Sequence, residues 1–234
     1  MSTPRDPKNL TLIVLGAGPK ALAIAAKRQA LARLGRAVPK LIVIDRHGVA
    51  ANWTGEHGFT HGRQTLGTSP EKDVGFPYSP LIHLHSPTTA VNGSTSQPPP
   101  TEIPELRRLM MANYSYTAYL VEGGDHAKYI DRGKPHPSHR EWARYLQWVA
   151  HRTGVVEDPT GTAECRLIKA NATRIHWFQD PADAQAKWKV VLRDPDSEIA
   201  EGTIQGDGLV MTGPGLPRPV PGEAALPSFH PSFT

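Results

Sequence analysis

The sequence predicts an α/β fold in which a parallel sheet carries an inserted antiparallel β-meander, and three features of the chain indicate it. Residues 10–15 (LTLIVL) and 41–45 (LIVID) are continuous apolar runs, as in strands that are buried on both faces. Good helix formers lie between them and end at Gly35. Farther on, short β-rich segments separated by turns precede a last apolar run that ends in glycine.

The turn after the first strand has the spacing of a dinucleotide-binding fingerprint. Gly16, Gly18 and Ala21 form a GxGxxA pattern between the strand and the helix that begins with Pro19 and Lys20. The first glycine permits a tight turn, the second keeps side-chain atoms away from a pyrophosphate, and the alanine lets the helix pack closely on the strand. The amides at the helix N-terminus attract phosphate. We therefore predict an FAD/NAD(P)-binding Rossmann-like three-layer fold.

Because a meander inserted before the closing strand suits FAD-type folds, we predict that residues 1–234 form a single FAD-binding domain. Residues 166–170, 173–179 and 187–193 have the composition of meander strands, and residues 102–119 could form one helix. In chain order, the predicted parts are a Rossmann βαβ unit (9–46), a long loop and substrate region (47–137), a helix (138–153), the meander (163–206) and a closing strand (207–213).

The helix predicted at 138–153 has clear start and stop signals. Ser138 and Glu141 have the spacing of a capping box, and Gly154 follows the last turn. Its large apolar side chains share one face, which favours packing in the core over a stacking platform. Those side chains are Trp142, Tyr145, Leu146 and Val149.

Composition excludes several classes of protein. The net charge is +4, from 26 basic and 22 acidic residues, and no run of five like charges suggests nucleic-acid binding. No stretch approaches the roughly 18 apolar residues of a membrane span. A single cysteine, Cys165, excludes an internal disulfide and fits a small buried residue in a reducing compartment. We expect a cytoplasmic protein that binds neither nucleic acid nor membrane.

Two polar features leave alternatives open. Asp45 ends the second strand 27 residues after Gly18, where the usual gap is about 20, so it either accepts a ribose hydroxyl or caps a loop. Two histidine pairs have spacings that raise the question of a metal site. Neighbouring glycines argue against a helix that presents the first pair, so we expect loop histidines and no metal. The pairs are His57 with His61 and His83 with His85.

Beyond the glycine turn, several segments resemble the flavin-dependent N-hydroxylating monooxygenases, the siderophore-type L-ornithine and L-lysine N-monooxygenases. The segments are VIDRHGVAANWTGEHG (43–58), GRQTL (62–66), Lys72-Asp73, HPSHREWARYLQWVA (136–150) and DGLVMTGPG (207–215). The resemblance implies FAD as cofactor, NADPH and O2 as co-substrates, and N-hydroxylation of a primary amine of an amino acid.

The resemblance also implies roles for residues outside the turn. It puts Trp53 and Gln64 beside the flavin and makes Lys72 the binder of the amino-acid substrate, a role in which we expect a buried lysine to contact the carboxylate as a point charge. Asp45, Arg46, Thr212 and Gly213 complete the expected cofactor site, the last two in the family's ATG-like closing strand. It assigns no catalytic residue.

Departures from the family pattern leave three forms of the protein open. Arg63 replaces the family's methionine, the spacing from Gln64 to Lys72 is longer than expected, and no second glycine-rich fingerprint is present. An NADPH-binding domain is therefore expected to be absent. The chain is a fragment, one half of a split enzyme whose partner supplies that domain, or a flavin-binding module without turnover. An NAD-dependent dehydrogenase is disfavoured, because the regular strand and helix alternation stops after the first βαβ unit.

Overall fold

The computed structural model describes residues 6–57, 60–76, 102–179, 186–194 and 201–213. Its strands are β1 (Thr11–Leu15), β2 (Lys40–Asp45), β3 (Cys165–Lys169), β4 (Asn171–Gln179), β5 (Ala186–Arg193), β6 (Glu201–Gly206) and β7 (Gly208–Met211). Its helices are α1 (Pro19–Arg33), α2 (Ala51–Thr54), α3 (Glu102–Tyr114), α4 (Tyr116–Glu122), α5 (His126–Asp131) and α6 (His139–Thr153).

Four strands form a parallel sheet in the order β3-β2-β1-β7. The two apolar runs of the sequence are its central strands, and Ile13, Val14 and Val43 are fully buried there. Because the strands are parallel, their carboxyl ends meet at one edge of the sheet. Residues 16–18, 45–50 and 212–213 follow three of these strands and lie at that edge.

The molecule has three layers. Helices α1, α3 and α6 pack on one face of the parallel sheet, around buried residues such as Leu22, Tyr145 and Leu146. The antiparallel sheet β4-β5-β6 covers the other face, where Val190 and Leu192 pack with isoleucines of β1 and β2. The predicted fold class, a Rossmann-like three-layer fold with an inserted antiparallel meander, is confirmed.

One strand assignment was wrong. The segment predicted as the first meander strand is β3, and it pairs in parallel with β2 from Leu41↔Cys165 to Asp45↔Lys169. The third meander strand is β6, which the sequence had not predicted as a strand and which pairs with β5. A short β-rich segment indicates a strand but not its partner, and the partner of β3 lies more than 120 residues earlier in the chain.

The region predicted as a long loop (47–137) contains four helices among its described residues. The single helix expected at 102–119 is broken at Ser115, whose hydroxyl oxygen accepts a hydrogen bond from the amide of Ala118 at 3.0 Å and so begins α4. Gly75 packs against this corner so closely that a Cβ at Gly75 would lie 2.5 Å from the amide nitrogen of Ser115.

Helix α6 begins and ends as its sequence signals predict. The hydroxyl oxygen of Ser138 accepts a hydrogen bond from the amide of Glu141 at 3.2 Å, and Gly154 is left-handed with φ 77°. The Glu141 carboxylate does not complete the capping box but accepts hydrogen bonds from Tyr119 and Arg144. Among the described residues, no helix combines the length and the apolar character that a membrane span needs.

Candidate functional site

The glycine turn is held tightly at its first residue. Gly16 is left-handed, with φ 94°, and its amide donates a hydrogen bond to the carbonyl of Ile44 at 2.7 Å. A Cβ at Gly16 would lie 2.6 Å from the hydroxyl oxygen of Thr212. Both the backbone conformation and the close approach therefore require glycine.

The second half of the turn presents free amides. Gly18 precedes α1, and no described residue accepts a hydrogen bond from the amide of Gly18, Lys20 or Ala21. A Cβ at Gly18 would meet no atom within 4 Å, so the space beside this residue is open. Free amides at the positive end of a 15-residue helix are donors of the kind that attract anions.

The remaining residues of the fingerprint support this surface. Pro19 occupies the first helical position, where its missing N–H costs nothing, and Ala21 is fully buried between helix and sheet. Lys20 is exposed, so its side chain can contact an anion bound at the turn.

The end of β7 forms the second side of the turn. The hydroxyl of Thr212 donates a hydrogen bond to the carbonyl of Leu15 at 2.8 Å, and the amide of Thr212 donates to the same carbonyl at 3.0 Å. Gly213 is exposed and is the last described residue. Thr212 therefore packs closely against Gly16, and its hydroxyl proton is donated to the carbonyl of Leu15.

Asp45 lies at the carboxyl end of β2, and its carboxylate binds backbone amides. Oδ2 accepts from the amide of Ala17 at 2.9 Å, and Oδ1 accepts from the amides of His47 and Gly48 at 2.8 Å and 3.0 Å. The neighbouring Arg46 is exposed. Of the two roles that the sequence left open, loop capping is the one with contacts in the described structure.

His139, which the sequence did not single out, contacts both Trp53 and Gln64. The ring of Trp53 packs edge-on against the ring of His139, with centroids 4.8 Å apart, and the amide of His139 donates to the carbonyl of Gln64 at 2.8 Å. Burial and the neighbouring His61 lower the pKa of His139. His139 belongs to a quoted family-like segment, but its contact with Trp53 depends on the approach of α2 to α6, which local sequence does not reveal.

Lys72 lies in the loop of residues 69–76 and is exposed, so the expectation that this lysine is buried was wrong. The buried residue of this loop is Asp73, with 7% of its surface exposed. Oδ2 of Asp73 accepts from the amide of Tyr116 at 2.6 Å, whereas no described residue donates to its buried Oδ1. Burial raises the pKa of Asp73 from 3.8 to about 7, against the opposing effect of the nearby backbone amides of Tyr116, Gly75 and Phe76.

Two cavities of about 430 Å³ lie away from the glycine turn. One is apolar and lies near the amino ends of β1 and β2, between α1 and α3, at the edge of the sheet opposite the turn. The other lies at the carboxyl ends of β2 and β3, and its wall includes the stacked rings of His47 and His57, 4.0 Å apart. Burial, followed by the charge of His57, lowers the pKa of His47.

Metal-ligating side chains do not cluster in the described part of the chain, where no three histidine, cysteine or acidic residues are placed to hold one ion. His83 and His85 lie outside the described residues. Cys165 is buried, and burial raises the pKa of its thiol to about 11, which keeps it protonated at neutral pH.

Comparison with known proteins finds relatives that are named as lysine N6-monooxygenases. No family model matches the chain. It is 38% identical over 208 residues to the L-lysine N6-monooxygenase MbtG of Mycobacterium tuberculosis, an alignment that covers 88% of this chain and 39% of the relative. It is 37% identical over 206 residues to the protein of the same name from Mycolicibacterium paratuberculosis, with the same two shares.

Among solved structures, the lysine monooxygenase NbtG from Nocardia farcinica, whose NADPH domain has an unprecedented conformation, superposes with a TM-score of 0.65 at 38% identity. The match covers 88% of this chain and 42% of NbtG. This chain is a relative of the N-hydroxylating monooxygenases. The resemblance inferred from the sequence is thereby confirmed.

A more distant solved structure has the same fold. Ornithine hydroxylase (PvdA) from Pseudomonas aeruginosa superposes with a TM-score of 0.59 at 21% identity, over 94% of this chain and 42% of that chain. The chain thus spans about two fifths of the length of the family members that it matches.

Proposed function

We propose that this chain is the FAD-binding portion of a flavin-dependent N-monooxygenase that acts on the primary amine of an amino acid such as lysine or ornithine. The single observation that carries the proposal is the row of free amides at Gly18, Lys20 and Ala21, at the carboxyl edge of the sheet and the N-terminus of a long helix. The identity to lysine monooxygenases supports the choice of reaction.

The residues fit a dinucleotide. Open space beside Gly18 leaves room for a diphosphate, and the free amides are donors for its oxygens. In this proposal Gly16 to Ala21 and Thr212 hold the diphosphate side of FAD, Arg46 and Gly213 lie at its margin, and Trp53 and Gln64 border the flavin. When bound, the flavin would supply the redox chemistry by which NADPH, O2 and the amine become NADP⁺, water and the hydroxylamine, with uptake of one proton.

The chain's own residues bind, orient and shield the reactants. Packing of Trp53 on His139 fixes the ring at the start of α2, and the backbone contact to Gln64 brings the 62–66 segment to the same place. Lys72, exposed on its anchored loop, is proposed to bind the substrate carboxylate as a point charge. We also propose that NADPH is the co-substrate and that a partner chain can carry the NADPH-binding domain. Self-association and a cytosolic location are part of the same proposal.

The proposal is tested by an absorption spectrum of the purified chain after incubation with FAD and gel filtration. We expect a flavin spectrum, and mass spectrometry of the released cofactor should identify FAD. A chain that retains no nucleotide at micromolar FAD would contradict the proposal.

A non-catalytic or partner-dependent flavin-binding subunit is the second candidate, since the free amides at the glycine turn account for flavin binding without any catalytic residue. NADPH consumption separates the two. A yellow chain that oxidises NADPH unaided is an enzyme by itself, whereas a yellow chain that does not is the flavin-binding part alone.

Lys72→Ala is expected to weaken binding of L-lysine or L-ornithine to the FAD-loaded chain about tenfold, because one charge-assisted contact to the carboxylate is lost. The affinity for FAD should not change. Isothermal titration with amino acid and with FAD checks both. Lys128→Ala, which removes another exposed lysine, is the control; equal loss of both ligands in Lys72→Ala would exclude the assigned role.

A further inference from the structure

The loop that follows β2 holds both backbone groups of Ala17, the middle residue of the GAG turn. The Asp45 carboxylate accepts from the amide of Ala17 at 2.9 Å, and the amide of Ala50 donates to the carbonyl of Ala17 at 3.1 Å. Ala17 has only 1% of its surface exposed, so water cannot replace either partner. Among the described residues, Asp45 at the end of β2 and Ala50 in this loop are the hydrogen-bond partners of the two backbone groups of Ala17.

Peptide planarity transmits the second of these bonds to the amide of Gly18, which shares its peptide plane with the carbonyl of Ala17. In a trans peptide the carbonyl and the following N–H point in opposite directions. Fixing the carbonyl of Ala17 from the side of Ala50 therefore aims the N–H of Gly18 the other way, where the amide has no described acceptor. The preceding peptide is fixed in the same manner, since the amide of Ala17 is held by Asp45 and the carbonyl of Gly16 contacts the Thr212 hydroxyl at 3.3 Å.

The loop adopts an unfavourable conformation to make these bonds. Ala50 is left-handed, with φ 58°, although it is not glycine and is 2% exposed. Such a conformation costs on the order of 1 kcal/mol and persists only where the surroundings impose it. Gly48 is also left-handed, and its amide is bound by the same carboxylate. The Asp45 side chain thus organises the loop from within while it holds the turn.

We propose that Asp45 is a positioning residue that, through Ala17 and the loop that carries Ala50, keeps the Gly18 amide aimed at the diphosphate. This inference rests on the proposed nucleotide site. Oδ1 already accepts from two amides. Among the described residues, Oδ2 accepts from the buried amide of Ala17 alone, so loss of this oxygen would leave that donor without a partner, at a cost of about 1–3 kcal/mol.

The test combines a change in the protein with a change in the ligand. Titration calorimetry measures the binding of ADP, 2′-deoxy-ADP and 3′-deoxy-ADP to the wild-type chain and to Asp45→Asn. If Asp45 positions the turn, the substitution weakens all three ligands by the same factor, about tenfold, because the diphosphate that they share is bound less well. The ratio between ADP and each deoxy ligand stays constant.

Two results would overturn the inference. One is a loss confined to ADP, so that the deoxy ligands bind both proteins equally, as a ribose ligand requires. The other is an Asp45→Asn chain that binds all three as the wild type does. Asp158→Asn is the matched control, since this aspartate also caps a loop through backbone amides but precedes β3 and so lies at the opposite edge of the sheet.

A second measurement separates this inference from the nucleotide site itself. Hydrogen exchange of the Ala17 amide, followed by NMR without ligand, should be slow in the wild type and at least tenfold faster in Asp45→Asn. Equal exchange rates would contradict the positioning role even if ADP binds. Failure of the wild-type chain to bind ADP, with the exchange difference intact, would contradict the proposed function and leave the positioning role of Asp45 supported.

Discussion

Gly18→Val is expected to abolish retention of FAD while the chain stays folded. The backbone of Gly18 has φ −86°, which valine adopts readily, and a Cβ there meets no protein atom within 4 Å. The added side chain therefore occupies the open space that the diphosphate needs. We expect at least a hundredfold loss of affinity, ~3 kcal/mol, against a loss of stability of about 1 kcal/mol from a poorer helix cap. Cofactor content after gel filtration and the urea unfolding midpoint measure the two effects.

Substitutions at Gly202 and Gly16 are the controls for Gly18→Val. Gly202, in β6, also has open space around its α-carbon and an ordinary φ, so Gly202→Val should retain FAD fully. Gly16→Ala should lower stability as well as binding, since its φ of 94° and its contact with Thr212 leave no room for a side chain. Unchanged cofactor content in Gly18→Val would remove the glycine turn as the nucleotide site.

The glycine turn could be predicted from sequence because all of its determinants are local. Strand β1, the turn and α1 are consecutive, and each glycine has its own physical requirement. The role of Asp45 could not be assigned in the same way. Its position after β2 suits a ribose ligand equally well, and only the structure places Ala17, 28 residues earlier, within hydrogen-bonding distance of its carboxylate.

The loop that carries Lys72 (residues 69–76) also shows that local sequence does not reveal contacts between distant parts of the chain. Sequence resemblance pointed to Lys72, which is exposed, and implied no role for Asp73 beside it. Asp73 is buried because the α3–α4 corner, 43 residues later, closes over it through Tyr116. Burial of one residue of a loop and exposure of its neighbour follow from that tertiary contact, and the local sequence contains no signal for it.

Asp73 is expected to make the stability of the chain depend on pH. Because burial raises the pKa of its carboxyl group to about 7 in the folded chain, the folded state holds a proton that the unfolded state releases near pH 4. The stabilisation is complete below pH 4 and is lost as the pH rises through 7. Linkage sets the loss in unfolding free energy between pH 4 and 8 at about 4 kcal/mol.

Asp73→Asn is expected to remove this fall, since an amide stays neutral and its oxygen can still accept from Tyr116. The variant should be less stable than the wild type at pH 4.5, because its buried NH2 has no described acceptor, and more stable at pH 8, where the wild-type carboxyl is charged. Urea unfolding of both proteins across this pH range measures the difference in their free energies of unfolding. The titration of all other groups is common to both proteins and cancels in this difference.

Asp158→Asn provides the comparison for the pH series. Hydrogen bonds from Thr160 and Ala163 lower the pKa of Asp158 to about 2, so its contribution is lost only under strongly acidic conditions and leaves the slope between pH 5 and 8 unchanged. Parallel pH profiles for the wild type and Asp73→Asn would mean that Asp73 is ionised throughout this range in the folded chain. Loop 69–76 would then be anchored by a charged carboxylate, and the position of Lys72 would not depend on pH.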